Sequence, residues 1–217
     1  MSKLLLLSIL LGACLSALSS EKGYPAIWWK SVDKTSAKWW EVLPQDVKSG
    51  EVVLSKRNQL GLLSNFAHTP FKFEGRTYQS VEGLWQSMKY PETRQDKRFL
   101  LKNTKWDHTR LEVEKMIAYE AKKAGSLASK IMKANNINWV TYKGKRMTYN
   151  THKKGEHYNL IKKIMWAKVL QNKNVKDILL RTKGLVLIPD HKVEKDAPPA
   201  WKYNIIWMEI RAELKKL

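Results

Sequence analysis

Gly61 to Tyr90, reading GLLSNFAHTPFKFEGRTYQSVEGLWQSMKY, constrains the fold of this chain more than any other stretch. Phe71-Lys72-Phe73 and Arg76-Thr77-Tyr78 alternate on either side of Glu74-Gly75, the pattern of a tight β-hairpin. The hairpin feeds directly into a helix. Ser80 is a good N-cap, and Tyr90-Pro91 stops the helix because the residue before proline is driven out of the helical region. Val81, Leu84, Trp85 and Met88 form its apolar face, whereas Glu82, Gln86 and Lys89 recur at i, i+4 and i+7 on one polar stripe. A carboxylate, an amide and an ammonium therefore share one helical edge, with Glu82 in the first turn where the helix dipole favours negative charge.

The rest of the chain predicts an α+β domain, mainly helical, with a small β-sheet. Val52 to Leu54 reads as a short strand. Helices are expected over Thr93–Leu101, Asp107–Ala124 and Ser126–Ala134, with Gly125 separating the last two. Their inner faces are read as Leu111, Met116, Ile117 and Ala121, then Leu127, Ile131 and Met132. Asn135 to Gly155 reads as an irregular zone, followed by a helix from about Glu156 to Gln171 with Lys168 near its apolar face. A short helix carrying Val175, Ile178 and Leu179 ends at Gly184, a β-like run covers Leu185 to Ile188, and a last helix spans Asn204 to Lys216. At 217 residues, with ten Trp, eight Tyr and seven Met, one domain with a sizeable core is expected over residues 51–217. Residues 21–50 read as an N-terminal arm carrying Trp28-Trp29 and Trp39-Trp40, paired rings that either stack on a base or nicotinamide or simply bury apolar area.

Two sets of residues resemble the NADAR or YbiA-like family. The first is Leu63-Ser64-Asn65-Phe66, Pro70-Phe71, Gly75, Tyr78 and Ser80-Val81-Glu82 with Gln86 and Lys89. The second is Leu179-Leu180, Thr182, Gly184, Leu185, Trp201, Asn204, Met208, Ile210-Arg211 and Leu214. The resemblance implies a YbiA-like fold over residues 51–217 and chemistry on NAD or ADP-ribose, namely hydrolysis of an N-glycosidic bond. It implies a catalytic Glu82 and a ligand site built from Asn65, Phe66, Trp85, Gln86, Lys89, Trp201 and Asn204. Two departures stand out: Gly83 replaces the His that usually follows the Glu, and the usual Trp-Gly-Asp-Gly loop is shortened to Trp201-Lys202-Tyr203-Asn204.

Such a site has a clear chemical logic. Cleavage of a ribosyl N-glycoside passes through a state with oxocarbenium character, which a carboxylate such as Glu82 stabilises. Gln86 offers ribose hydroxyls both a donor and an acceptor, and Lys89 meets a phosphate as a point charge. The alternative for Glu82 and Lys89 is an ordinary exposed helix, for Asn65-Phe66 a turn and a core ring, and for Asn204 the N-cap of the last helix. The two departures favour a second reading, a non-catalytic module that binds ADP-ribosyl groups or nucleic acid. His68, His108, His152, His157 and His191 show no metal-ligand spacing, so neither a protein-held metal nor another cofactor is expected. No GxGxxG or Walker loop accompanies them.

The chain carries 40 Lys and Arg against 20 Asp and Glu, a net charge of +20. Such a field attracts polyanions, including nucleic acid, although a merely solvated lysine-rich surface has the same composition. At the start, Lys3 and the apolar run Leu4 to Leu11 read as an export signal over residues 1–20, too short for the roughly 20 apolar residues of a membrane span. Leu11-Gly12-Ala13-Cys14 resembles a lipobox with Cys14 as the lipidated residue. Cleavage near Ala17 to Ser20 is the alternative. The expectation is an exported protein, in a bacterium periplasmic or held at the membrane by a lipid anchor alone. An exported basic surface protein is the third functional reading. With one cysteine no intrachain disulfide forms, and stability rests on packing.

Overall fold

The computed structural model describes residues 23–102 and 104–216. The expected export signal and Cys14 lie outside the described residues. The protein is an α+β domain with far more residues in helices than in strands, and its strands form three separate two-stranded pairs in place of a single small sheet.

Strand β1 (Glu51–Val53) is followed by the hairpin of β2 (Phe71–Phe73) and β3 (Arg76–Tyr78), with Phe71 opposite Tyr78. Glu74 and Gly75 both take positive φ, 47° and 84°, as a two-residue type I′ turn demands. Helix α1 (Val81–Ser87) follows at once. Its cap is Ser80, whose Oγ accepts from the Gly83 amide at 2.9 Å and whose hydroxyl donates to Met116 O at 3.0 Å. Val81, Leu84 and Met88 are fully buried, each stabilising the fold by roughly 1.5–3 kcal/mol relative to exposure.

The expected helix over Thr93–Leu101 is a run of turns. The Asp96 carboxylate accepts from the amides of Glu92 and Arg98 and from the Arg98 guanidinium, and this local bonding displaces helical hydrogen bonds. Arg98 is thereby buried, while Phe99 and Leu100 point outward. The expected helix over Asp107–Ala124 is broken in two. Thr109 and Glu112 form a capping box for the short α2 (Arg110–Glu114), and the chain is re-aimed by Ala118 at φ 48° before α3 (Ala118–Ala134). Helix α3 runs straight through Gly125. Its inner face is Ala121, Ala124, Gly125, Ala128 and, as expected, Met132; small residues stand where Leu127 and Ile131 were expected, so α1 approaches it closely. Leu111 is exposed and Val113 takes the core position.

The irregular zone expected from Asn135 to Gly155 contains a second hairpin, β4 (Trp139–Tyr142) and β5 (Lys145–Thr148), turning at Lys143-Gly144 with φ 50° and 73°. Helix α4 (Glu156–Gln171) packs on β2, β5 and α1, then on α5 (Lys173–Arg181) and α6 (Tyr203–Leu214). Between the last two, β6 (Val186–Ile188) pairs in parallel with β1, Val52 opposite Leu187. The main core spans all of these elements and includes Trp28, Leu54, Leu84, Ile164 and Trp207. Residues of the arm lie against β6 and the loop that follows it. Val42 N donates to Asp190 O, Lys192 N to Trp40 O, and Glu41 bridges to His191.

Candidate functional site

A cleft of about 1070 Å³ opens beside α1. Its floor is the polar stripe of that segment, because Glu82, Gln86 and Lys89 all line it together with Trp85. One wall is α3, which presents Lys122, Ser126, Ser129 and Lys133 at i, i+4, i+7 and i+11. The other wall comes from the C-terminal ends of the parallel strands: Lys56 beyond β1, and Asp190, His191 and Lys192 beyond β6, with Trp201 and Tyr203 behind them. Ligand crevices form where parallel strands end. Asn65, Phe66, Tyr149 and Asn150 complete the lining.

Glu82 is 5% exposed, and its Oε1 accepts from Gln86 Nε2 at 2.7 Å. Burial pushes its carboxyl above the ordinary range, against the Gln86 hydrogen bond and the charges of Lys122, Lys89 and Lys56. Gln86 itself lies flat on Gly125, where any Cβ would fall 1.7 Å from its Oε1. That amide oxygen and Asn65 Oδ1 are buried and have no hydrogen-bond partner among the described residues. Gln86 Oε1 faces Gly125 across the α1–α3 contact, and both acceptors are closed off from solvent. The Asn65 carbonyl accepts from Glu82 N at 2.9 Å and so ties this loop to the start of α1.

Lys89 donates to Ser129 Oγ at 2.9 Å and lies 5.6 Å from the Tyr149 ring centre. Burial brings its ammonium down to about 8, with Glu82 opposing and Lys122 reinforcing the shift. The carbonyls on either side of it are fixed by buried guanidinium groups, Met88 O by Arg98 at 2.8 Å and Tyr90 O by Arg110 at 3.4 Å. Phe66 packs edge-on to Tyr119 at 5.3 Å, with Lys56 Nζ 4.9 Å above its ring. Behind Trp85 sits His157, 5.8 Å away and held down to about 4 by burial and by Lys89.

The structure therefore gathers Asn65, Phe66, Glu82, Trp85, Gln86, Lys89 and Trp201 on one cleft. Asn204 is not among its lining residues. It falls inside α6 rather than capping it, and its amide donates to Leu187 O at 2.8 Å, pinning the helix to β6. Of the paired tryptophans, Trp28 is fully buried, Trp39 is 83% exposed and Trp40 lines the cleft.

Sequence reasoning passed over the α3 stripe, Lys56, and the group Asp190, His191 and Tyr203. The stripe was legible as polar residues at helical spacing once Gly125 is allowed inside the helix. The others carry no local signal, since only the β1–β6 pairing brings them together. Among the described residues no group of three or more His, Cys, Asp or Glu is placed to hold a metal.

Among solved structures, the chain is similar to the NMR structure of the E. coli protein YbiA, with 18% sequence identity, 78% of this chain and 88% of that chain covered, and a TM-score of 0.48. No family model matches the sequence, and no curated protein does.

Proposed function

We propose that this cleft binds an ADP-ribose-like or ribosyl-phosphate N-glycoside and hydrolyses its glycosidic bond, with Glu82 stabilising the ribosyl cation. The observation that carries this reading is the floor of the cleft, where a buried carboxylate held by Gln86 Nε2 shares the lining with Lys56, Lys89 and Lys122, whose charges act on it. A carboxyl held high by burial is drawn to its charged form by any new positive charge beside it. The cation that develops at C1′ is such a charge, so the attraction is larger in the transition state than with bound substrate. Lys56, Lys89, Lys122 and Lys133 supply positive charge for phosphates, and Phe66, Tyr119 and Trp201 supply faces for a ring.

The second reading, binding without turnover, is favoured by Gly83. Its position is closed by backbone, a Cβ there falling 2.4 Å from Met116 O, so the side chain usual in the resembled family has no room. Glu82→Gln separates the two. It keeps size and most hydrogen bonding, so turnover of NAD or an ADP-ribosylated nucleoside is expected to fall about 100-fold or more while affinity changes little. Wild-type protein that binds both compounds and cleaves neither refutes the enzyme reading. Undiminished cleavage by Glu82→Gln refutes the assignment of Glu82.

A further inference from the structure

The wall opposite α3 contains a cluster that the role of Glu82 does not use. His191 Nδ1 lies 3.0 Å from Asp190 Oδ1, and that carboxylate also accepts from the Tyr203 hydroxyl at 3.1 Å and pairs with Lys56. Asp190 is 6% exposed, and its backbone amide is bonded to the Tyr203 oxygen in turn. Tyr203 stacks on the imidazole with ring centres 6.1 Å apart and planes within 7°. The carboxylate is thus over-determined by three donors, and the imidazole is fixed both by its Nδ1 bond and by a parallel ring. Such bonding selects the tautomer with the proton on Nδ1 when the ring is neutral and leaves Nε2 as the working nitrogen. Burial alone would raise the Asp190 carboxyl, but His191 and Lys56 hold it below its usual value, so it stays charged beside the ring. His191 itself is part-exposed and lines the same cleft as Glu82.

Lys56 joins the two halves of this arrangement, since it pairs with Asp190 and its charge also acts on Glu82. Carboxylate, oriented imidazole and an open ring nitrogen are the components of general acid–base catalysis.

We infer that Asp190 and His191 form the proton-transfer element of this cleft, with Nε2–H of the imidazolium protonating the departing nitrogen of a neutral N-glycoside. The inference rests on the glycosidase reading of the site. The C1′–N bond breaks with its electron pair passing to nitrogen, and that nitrogen takes the Nε2 proton. Water then forms the new C1′–O bond, and its surplus proton returns to the now neutral Nε2. Glu82 remains the counter-charge to the ribosyl cation throughout. The net change is one water consumed, one C–N and one O–H bond broken, and one C–O and one N–H bond formed. Asp190 and Tyr203 are positioning residues, acting through the imidazole.

A pyridinium leaving group departs from ribose already neutral and needs no proton, whereas a nucleobase amine does need one. His191→Asn keeps a donor for Asp190 but removes the titratable nitrogen. Its kcat on an ADP-ribosylated nucleoside is expected to fall about 100-fold at nearly constant KM, with a much smaller loss on NAD. Added imidazole is expected to restore the rate of His191→Gly in proportion to its concentration, which a purely structural histidine would not permit. A His191→Asn enzyme within about twofold of wild type on the nucleoside overturns the inference, as does a His191→Gly enzyme indifferent to imidazole. If those results appear while Glu82→Gln is inactive, the dyad fails and the site reading stands. Wild-type protein that cleaves neither compound refutes both.

Discussion

Replacing Gly83 by alanine tests whether the packing of α1 is as tight as its geometry states. A Cβ on Gly83 would sit 2.4 Å from Met116 O, 3.0 Å from Val113 O and 3.3 Å from Glu114 O. Ordinary contact begins at 3.4 Å, so the first approach is about 1 Å too close, and all three atoms are backbone that no rotamer change can move. Overpacking of this kind costs roughly 1–3 kcal/mol. Displacing Met116 also loses its bond from Ser80, worth about 0.5–1.5 kcal/mol. Alanine in place of glycine within a helix returns roughly 1 kcal/mol. The net expectation is a destabilisation of about 2 kcal/mol, or a Tm lowered by roughly 4–8 °C for a domain of this size. Thermal unfolding of wild type and Gly83→Ala reads this directly. A Tm that is unchanged or raised would show that the α2–α3 connection yields, and the steric account of why glycine stands there would be wrong.

Three further outcomes are expected. Lys168 is fully buried in α4, donates to Ser64 O at 2.8 Å and has its ammonium brought from 10.5 down to about 7 by burial. The unfolded chain binds the extra proton between those values, so the penalty is complete below pH 7 and is relieved as pH rises; urea midpoints should climb from pH 6 to 9 in wild type relative to Lys168→Met, and parallel curves would contradict it. His157, held down to about 4, has the same sign at lower pH: its share of stability is intact above about 6.5 and lost as pH falls towards 4, a loss that His157→Phe should lessen in acid unfolding. Lys122→Ala and Lys133→Ala should each weaken ADP-ribose binding roughly 2–5-fold, the scale of a contact worth about 0.5–1 kcal/mol, and should flatten the fall of affinity with salt measured by calorimetry.

Features governed by neighbours in sequence were legible before any coordinates. The Glu74-Gly75 turn, the Ser80 cap, the α1 stripe and the span of α4 are all written in periods of two or 3.6 and in capping chemistry. Where the reading failed, a longer-range cause had won. Gly125 marks no helix end, because its missing side chain makes room for Gln86 across a helix pair. The Asp96–Arg98 bonding replaces the helix expected over Thr93–Leu101 with turns. The Lys143-Gly144 turn was overlooked amid polar residues, although Val140, Tyr142 and Met147 alternate around it. Of the cleft, the helix side was visible and the strand-end side was not. Asp190 and Lys56 are 134 residues apart, and nothing local announces that they meet.

That separation has a temporal consequence. The Glu82 stripe and its hairpin are local in sequence, while β1 stays unpaired until β6 has been made. Closing so long a loop comes late in folding, since its entropy must be met before the pairing contributes anything. A nascent chain therefore carries Glu82 well before it has the opposite wall, and the cleft is incomplete until Tyr203 has been made. The two walls of the cleft thus become one surface only when the strands at opposite ends of the domain sequence meet.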